Sequence, residues 1–274
     1  GVKDKIFEKR KDGAIIINLD KGLGEKVLLR MDGTSVYVVQ DLYLAQLKFK
    51  DYKLDKSYYV VGNEQEYHFK VLFKVLEKLG FKQNMKHLAY GMVELPSGKI
   101  KSREGTKGIT ADEIIDNVQD LVRKELKKRS KLSKKELENR SRKITLGAIK
   151  YFLLKVDTRK NMLFNPKKAI SFEGDTGPYI QYSYARASSI IKKEGKEKKK
   201  PKFNLGELTH SELELIKKLS QFKEVSDKAY KNLNPSVLAN YSYQLSQRFN
   251  EFYHSSKVIG SDEQVFRLKL VEAF

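Results

Sequence analysis

The chain has 274 residues, 40% of them hydrophobic and 11% aromatic, which is enough to bury the core of one large domain or two ordinary ones. Its 55 lysines and arginines outnumber its 35 aspartates and glutamates, and the net charge of +20 points to a polyanionic partner, either nucleic acid or an acidic membrane surface. The absence of cysteine excludes disulfides, thiolate catalysis and cysteine-ligated zinc, and no apolar run approaches the roughly 20 residues that cross a bilayer.

The first third of the chain is expected to alternate strands and helices. Apolar or β-branched runs between glycine-containing turns predict strands over residues 14–17, 26–29, 35–39, 58–62 and 88–95. Helical spacing of apolar residues predicts helices over residues 41–48 and 64–79. This alternation is typical of a parallel α/β sheet, which binds its ligands at the carboxyl ends of the strands.

Beyond residue 110 the pattern becomes helical. Thr110 and Glu113 have the spacing of a capping box in front of the first helix. Further helices are expected over residues 146–156, from Pro178, from Ser211 towards Leu233, from Asn234 and Pro235, and from Glu263. Their apolar stripes indicate the core of a helix bundle rather than a cofactor site.

Two stretches of this helical half are strongly basic. Residues 122–143 carry eleven lysines and arginines against three glutamates, and residues 192–202 form a charged linker with seven lysines against two glutamates. The first stretch is either a solvated helix face or a contact with an RNA backbone, and the sequence leaves both interpretations open.

Residues 97–106 form a basic loop directly after the predicted strand 88–95. The loop holds Lys99, Lys101 and Arg103 together with hydroxyl side chains and two glycines. Glycine lets the backbone approach a ligand closely, and the cations can neutralise phosphate charge. The loop therefore suits a triphosphate whose charge grows as a bond to phosphorus breaks, although a solvated turn has the same composition.

Four segments together resemble the arginyl-tRNA synthetases, a family of class I aminoacyl-tRNA synthetases. Residues 32–41 (DGTSVYVVQD) are similar to the family's DGTxxYxTxD segment, and residues 59–69 (YVVGNEQEYHF) to its YVVGxEQxxHF segment. The basic loop 97–106 resembles the class I KMSKS loop, and residues 172–186 (FEGDTGPYIQYSYAR) resemble the FxGxTGPYxQYxxAR segment. The four occur in the family's order and together extend over most of the chain.

The resemblance implies an arginine pocket lined by Tyr37, Asp41 and Gln65. A guanidinium is a planar cation with five donors, so a selective pocket needs a carboxylate and neutral acceptors. Asp41 would supply the ionic bond, and Tyr37 and Gln65 would fix the orientation and reject lysine. Tyr37 and Asp41 share a face if the chain is helical there. Without the resemblance, a helix cap is the favoured explanation of Asp41, and a core position is the favoured explanation of Tyr37.

The resemblance also implies an ATP site and a mobile catalytic loop. The expected ATP-binding residues are Gly62, Glu64, His68, Val93, Lys99 and Lys101. The expected catalytic residues are Lys99, Lys101, Ser102 and Arg103. ATP is expected as a substrate together with Mg²⁺, and no protein-bound metal site is expected. Ser102 stands where the KMSKS motif has its second lysine, which leaves open which cation meets which phosphate, and His68 is either a phosphate donor or a buried histidine.

The tRNA for arginine is the expected macromolecular partner. The helical half would present cations to its phosphates and aromatic rings to unstacked anticodon bases. The candidates are Tyr179, Tyr182, Arg186, Tyr243 and Arg248, with Tyr241 and Tyr253 in addition. At least half of this set is expected to belong to the core.

The predicted architecture is α/β followed by all-α, with a Rossmann-type parallel-sheet catalytic domain and a helical anticodon-binding bundle. The predicted boundaries are 1–110 for the catalytic part with its loop, 111–177 for a helical stem-contact and connecting region, and 178–274 for the bundle. The HxGH-type motif of class I enzymes does not occur in the sequence. We therefore expect a fragment of a longer enzyme, shortened also in the bundle and inactive alone.

The implied reaction of the full-length enzyme is ATP-dependent activation of arginine and its transfer to tRNA(Arg). We expect a soluble, cytoplasmic monomer without membrane contact. The alternatives are a non-catalytic RNA-binding adaptor derived from a class I synthetase, a class I synthetase of another specificity, and a basic membrane-associating protein. The last alternative lacks a suitable amphipathic segment.

Overall fold

A computed structural model describes residues 2–19, 22–95, 98–99, 110–129, 131–194 and 207–274. The chain divides into two compact units, Gly1–Met92 and Val93–Phe274. Within the described ranges, none of the helices combines the length and apolar character that a membrane span requires.

The first unit begins with an antiparallel sheet. Its strands are β1 (Glu8–Lys9), β2 (Ile15–Leu19) and β3 (Gly24–Leu29), arranged in that order. The chain then turns at Asp32, whose carboxylate accepts hydrogen bonds from the backbone N–H of Thr34 (2.9 Å) and from its hydroxyl (2.7 Å). This turn directs the chain into helix α1 (Tyr37–Tyr52).

A parallel strand pair completes the first unit. Strands β4 (Lys56–Gly62) and β5 (Asn84–Tyr90) pair in parallel along their whole length, and helix α2 (Glu66–Lys78) connects them. Apolar side chains of β2, α1 and α2 share one core, in which Ile17, Leu72 and Leu76 are fully buried. The predicted strand–helix–strand alternation is confirmed here.

The prediction of a strand over residues 35–39 was wrong. Only Ser35 takes part in a β-bridge, and α1 already begins at Tyr37. Burial of a helical stripe against the core outweighs the preference of valine for strands. The buried residues of α1 are Val38, Leu42 and Ala45.

The single strand predicted over residues 88–95 is divided between the two units. Strand β5 ends at Tyr90, and strand β6 (Val93–Leu95) belongs to the second unit. There it pairs antiparallel with β7 (Gly98–Lys99) and parallel with β8 (Met162–Leu163). Gly91 lies at the break, but the apolar residues on either side continue the strand pattern, so periodicity alone does not reveal the interruption.

The rest of the second unit is helical, and the predicted class, α/β followed by all-α, is confirmed. One core joins α3, α4 and α5 with β6, and another joins α6, α7, α9 and α10. The helices are α3 (Ala111–Arg129), α4 (Lys134–Leu154), α5 (Pro166–Ala169), α6 (Gly177–Glu194), α7 (His210–Ser220), α8 (Phe222–Asn232), α9 (Ser236–Ser255) and α10 (Gln264–Ala273).

Helices α4 and α6 touch at two glycines. A Cβ atom on Gly177 would lie 2.3 Å from the carbonyl oxygen of Gly147. A Cβ atom on Gly147 would lie 2.3 Å from Nε2 of Gln181, which donates to the carbonyl oxygen of Lys143 at 3.0 Å. The two backbones can therefore approach this closely because Gly177 carries no side chain, while Gly147 leaves room for the side chain of Gln181.

The capping predictions hold for α3 but not for α7. The predicted Thr110–Glu113 box is present, with reciprocal hydrogen bonds of 3.2 and 2.8 Å. The cap of α7 is Thr209, not the predicted Ser211, and the helix predicted to run towards Leu233 is interrupted at Gln221. Ser211 and Glu214 have the same spacing as Thr209 and Glu212. The buried ion pair of Glu212 with Arg267 (2.7 Å) favours the cap formed by Thr209 and Glu212.

Candidate functional site

The first candidate residues meet where α1 and α2 begin. Tyr37 and Asp41 lie one turn apart on α1 and so project from one face, which confirms the expectation from their spacing. The Tyr37 side chain is 81% exposed. Oδ2 of Asp41 lies 2.7 Å from Nε2 of His68 on α2, and both side chains are partly exposed. The carboxylate is thus held between two helices and remains accessible to solvent.

Three further candidates lie at the end of β4. Gly62 is the last residue of the strand, and Asn63–Gln65 form a 3-10 turn that leads into α2. The side chains of Glu64 and Gln65 are exposed. A Cβ atom on Gly62 would lie 3.7 Å from Sδ of Met92, so the backbone is closely covered on that side. These residues occupy the carboxyl end of a parallel strand, where α/β folds bind ligands.

The carboxylate of Asp41 also affects Tyr59 on β4. Burial raises the pKa of the Tyr59 phenol, and the negative charge of Asp41 acts in the same direction, while the nearby Ser57 side chain acts against both. Nζ of Lys48 lies 4.6 Å from the centroid of the Tyr59 ring. The phenol is therefore neutral at physiological pH, and it packs against Phe69 with a centroid distance of 5.1 Å.

The residues predicted for the mobile loop are only partly described. Lys99 belongs to β7 by its backbone, opposite Glu94. Lys101, Ser102 and Arg103 lie outside the described residues. Val93 begins β6 and pairs with Met162 of β8. The catalytic and ATP-binding roles of these residues stay predictions.

In the second unit, Arg186 contacts two tyrosine rings. Its Cζ lies 4.7 Å from the ring centroid of Tyr182 and 4.3 Å from that of Tyr253. The guanidinium donates to Oδ1 of Asn250 and to the Tyr182 hydroxyl (3.2 Å), and the Asn250 amide donates to Ser183 (2.7 Å). The two rings are 52% and 39% exposed. This set, Tyr182, Arg186, Asn250 and Tyr253, is called the tyrosine–arginine cluster below.

The other aromatic candidates differ in exposure. Tyr179 and Tyr243 are half-buried, and their ring centroids lie 5.4 Å apart. Arg248 is paired with Glu251 at 2.7 Å on the same helix. Tyr241 is buried and donates its hydroxyl to the carbonyl oxygen of Lys218 (2.9 Å), so its role is structural.

Sequence reasoning did not predict a polar cluster of Tyr151, Lys155 and Asp175 at the start of α6. Asp175 accepts a hydrogen bond from the Tyr151 hydroxyl and pairs with Nζ of Lys155 at 3.0 Å. Burial raises the pKa of Tyr151, and the hydrogen bond to Asp175 adds to this shift. Asn240 of α9 donates to the carbonyl oxygen of Lys155 (2.9 Å), which links this polar cluster to the bundle. Spacing could not have revealed it, because its members come from distant segments.

Comparison with known proteins assigns the chain to a class and then to a family. Residues 1–165 match the family model "tRNA synthetases class I (R), catalytic domain", and residues 180–274 match the "DALR anticodon binding domain". These two matches define a class I aminoacyl-tRNA synthetase. The chain belongs to the arginyl-tRNA synthetase family.

Individual relatives agree with this family. The chain is 45% identical to an arginine–tRNA ligase of Phocaeicola vulgatus and 44% identical to one of Bacteroides thetaiotaomicron, over 98% of its own length in both cases. It spans about half the length of these curated relatives, 46% and 47%. Among solved structures, the arginyl-tRNA synthetase of Thermus thermophilus matches with a TM-score of 0.80 at 25% identity, covering 98% of this chain and 52% of the other.

Proposed function

We propose that this chain is part of an enzyme that activates arginine with ATP and transfers it to tRNA(Arg). The observation that carries the proposal is the placement of Tyr37 and Asp41 on one face of α1 with the Asp41 carboxylate accessible. The identity of 45% with a named arginine–tRNA ligase supports the same conclusion. In our proposal Asp41 binds the substrate guanidinium, and Tyr37 and Gln65 orient it.

The activation step needs positioning and charge stabilisation rather than a protein nucleophile. The arginine carboxylate attacks the α-phosphorus in line, the bond to the bridging oxygen breaks, and pyrophosphate leaves. We propose that Gly62, Glu64 and Val93 border the nucleotide, that His68 lies beside it and orients Asp41, and that Lys99 and Lys101 close over the leaving pyrophosphate with Ser102 and Arg103 in support. Mg²⁺ would enter with the phosphates of ATP, and within the described ranges no three acidic or histidine side chains cluster as metal ligands.

The transfer step requires tRNA bound along the second unit. We propose that the tyrosine–arginine cluster contacts the anticodon loop, since exposed rings and a guanidinium can stack on unpaired bases. Tyr179, Tyr243 and Arg248 would support this surface. The three regions 1–110, 111–177 and 178–274 would serve activation, stem contact and anticodon recognition. Because translation takes place in the cytoplasm, we propose that the enzyme acts there. We also propose that it is a monomer.

The proposal is tested with a chimaera that joins the preceding half of the Phocaeicola vulgatus relative to this chain. We expect arginine-dependent exchange of pyrophosphate into ATP and charging of tRNA(Arg), with little response to lysine. The intact relative serves as the positive control. The 274-residue chain by itself is expected to bind tRNA weakly and to show no exchange.

The outcomes separate the proposal from its rivals. A chimaera that melts cooperatively and binds tRNA but gives no arginine-dependent exchange would favour the RNA-binding adaptor. Exchange that depends on another amino acid would favour a different class I specificity.

A further inference from the structure

Three segments of the second unit line an open cavity of about 870 Å³. Its walls come from the last turns of α3, from α5 and from the loop over residues 171–173. Its volume falls within the range of ligand sites in proteins, about 300–1,000 Å³. We call it the α3–α5 cavity, and its lining includes Lys124, Lys127, Lys128, Arg129, Lys167 and Phe172.

The charge around this cavity is unbalanced. Besides its five cations, the lining holds two carboxylates, Glu125 and Glu173. Lys128 is paired with Glu125 at 2.8 Å, so this pair cancels. The other four cations form no ion pair with any residue that the structure describes. Like charges around one cavity repel each other, and an anion inside it would relieve that repulsion.

Elsewhere on α3, a cation that does not line the cavity is neutralised by carboxylates. There Arg123 pairs with Asp120 at 2.5 Å on its own helix and with Glu138 of α4 at 2.8 Å. Within α3, Arg123 is thus balanced by carboxylates, whereas Lys124, Lys127 and Arg129 at the cavity form no such pairs with described residues. This division distinguishes a binding surface from a uniformly solvated helix.

The cavity also has a surface on which a base can stack. Cζ of Arg129 lies 4.6 Å from the ring centroid of Phe172, and both residues line the cavity. Leu121 and Ile170 add apolar surface beside them. Guanidinium and aromatic planes stack on nucleobases, while lysines contact phosphates through charge and hydrogen bonds.

From these observations we propose that the α3–α5 cavity binds one nucleotide of tRNA, with its phosphate among Lys124, Lys127 and Lys167 and its base against Arg129 and Phe172. The site is separate from the tyrosine–arginine cluster and shares no residue with it. The inference rests on the proposed function in one respect, because it takes tRNA as the partner.

The test measures binding of a tRNA(Arg) transcript to the 274-residue chain at several salt concentrations. The double variant Lys124→Gln/Lys127→Gln should bind about tenfold more weakly, and the slope of log K against log salt should become shallower by about 0.7 to 0.9, since the site neutralises one phosphate and each neutralised phosphate contributes roughly that amount. The matched control is Lys223→Gln/Lys231→Gln on α8, which removes the same charge elsewhere and should leave the slope unchanged.

A second variant tests the stacking half of the proposal. Phe172→Leu should weaken tRNA binding about five- to tenfold without changing the salt slope, because it removes a stacking surface and no charge. Thermal melting of each variant identifies any loss of fold. ATP and inorganic phosphate are added as competitors at the concentrations used for catalysis.

Each outcome bears on the proposal. A shallower slope for the α3 pair alone, with a loss for Phe172→Leu, supports it. Equal slopes for the α3 pair and the α8 pair overturn it and leave the proposed function standing. Competition by ATP that disappears in the α3 pair overturns it in favour of a free nucleotide. Absence of tRNA binding by the unaltered chain and by the chimaera overturns the inference and the proposed function together.

Discussion

His68 and Asp41 join the first turns of α2 and α1, with Nε2 of the imidazole 2.7 Å from Oδ2 of the carboxylate. The resemblance to the synthetase family assigns these two residues to different substrates, ATP for His68 and arginine for Asp41. Their contact suggests that the histidine orients the carboxylate and leaves Oδ1 for the incoming guanidinium.

A substitution of His68 distinguishes these two roles. In the chimaera, His68→Ala should raise the KM for arginine about tenfold and leave the KM for ATP unchanged, since a hydrogen bond to a charged group contributes about 1.5–3 kcal/mol. His68→Gln, which keeps a donor, should restore part of the loss. A rise in the KM for ATP alone would place His68 on the phosphates instead.

Asp41→Asn tests the ionic contact itself. We expect the KM for arginine to rise by about a hundredfold, because the substrate guanidinium would lose its counter-charge. Affinity for tRNA should not change. Asp51→Asn near the end of the same helix is the control, and it should behave like the unaltered chimaera. Equal arginine kinetics in the two variants would rule out Asp41 as the guanidinium ligand.

The buried pair of Glu212 and Arg267 predicts an acid-sensitive second unit. Burial by itself would raise the pKa of Glu212, but hydrogen bonds from Arg267 and Thr209 outweigh it, so the pKa lies below its ordinary value. A carboxylate whose pKa is lowered by folding stabilises the folded state fully at pH values above its unfolded-state pKa, about 4.3. This stabilisation is lost as the pH falls through the lower pKa of the folded state. Urea unfolding at pH 7 and at pH 3 measures the difference.

Breaking the same pair gives a second measurement. Arg267→Met should lower the free energy of unfolding by about 3 kcal/mol, because it leaves a charge buried without its partner. The double variant Arg267→Met/Glu212→Gln should recover part of this loss, since it removes the unpaired charge. A double variant less stable than the single one would contradict this account.

The contact between Gly147 and Gly177 predicts unequal costs for two similar substitutions. Gly177→Ala places a methyl group against the backbone of Gly147 and should destabilise the second unit by about 2–3 kcal/mol. Gly147→Ala meets only the flexible end of Gln181, and a gain of about 1 kcal/mol in helix propensity offsets part of that conflict. Thermal unfolding of the two variants side by side should show Gly177→Ala melting clearly lower.

The tyrosine–arginine cluster predicts a defined loss of tRNA affinity. Tyr182→Ala should weaken binding of tRNA(Arg) by about 1–3 kcal/mol, the range measured for loss of one stacked base. Tyr184→Ala is a matched control, because that ring is also exposed (68%) on the same helix but lies outside the cluster. Transcripts with an altered anticodon loop should lose affinity for the unaltered chain and show little further loss with Tyr182→Ala.

Much of the fold follows from patterns of short range in the sequence. The strand–helix–strand alternation, the capping box at Thr110 and the helical stripes of the second half depend on neighbours within a few residues, and the structure agrees with them. The failures arise where contacts made elsewhere in the fold prevail. Burial converts residues 37–39 from strand to helix, and the ion pair with Arg267 selects Thr209 rather than Ser211 as a cap.

The candidate sites show the same limit. The spacing of Tyr37 and Asp41 foretold their common face, but nothing in the sequence indicated that His68 would reach Asp41. The contacts of Asp175 with its partners, and of Arg129 with Phe172, join residues that are 20 or more positions apart. Such pairs depend on the packing of whole helices, which short patterns do not encode.

The glycine contact between α4 and α6 has a consequence for recognition at a distance. Helix α4 follows α3, which borders the α3–α5 cavity, and α6 carries Tyr182 and Arg186. A crossing without side chains between the two backbones allows little sliding, so it acts as a fixed spacer between two surfaces that we propose touch the same RNA. A tRNA whose stem and anticodon loop are spaced differently would then be unable to reach both surfaces at once, and the enzyme would select its partner by shape as well as by base.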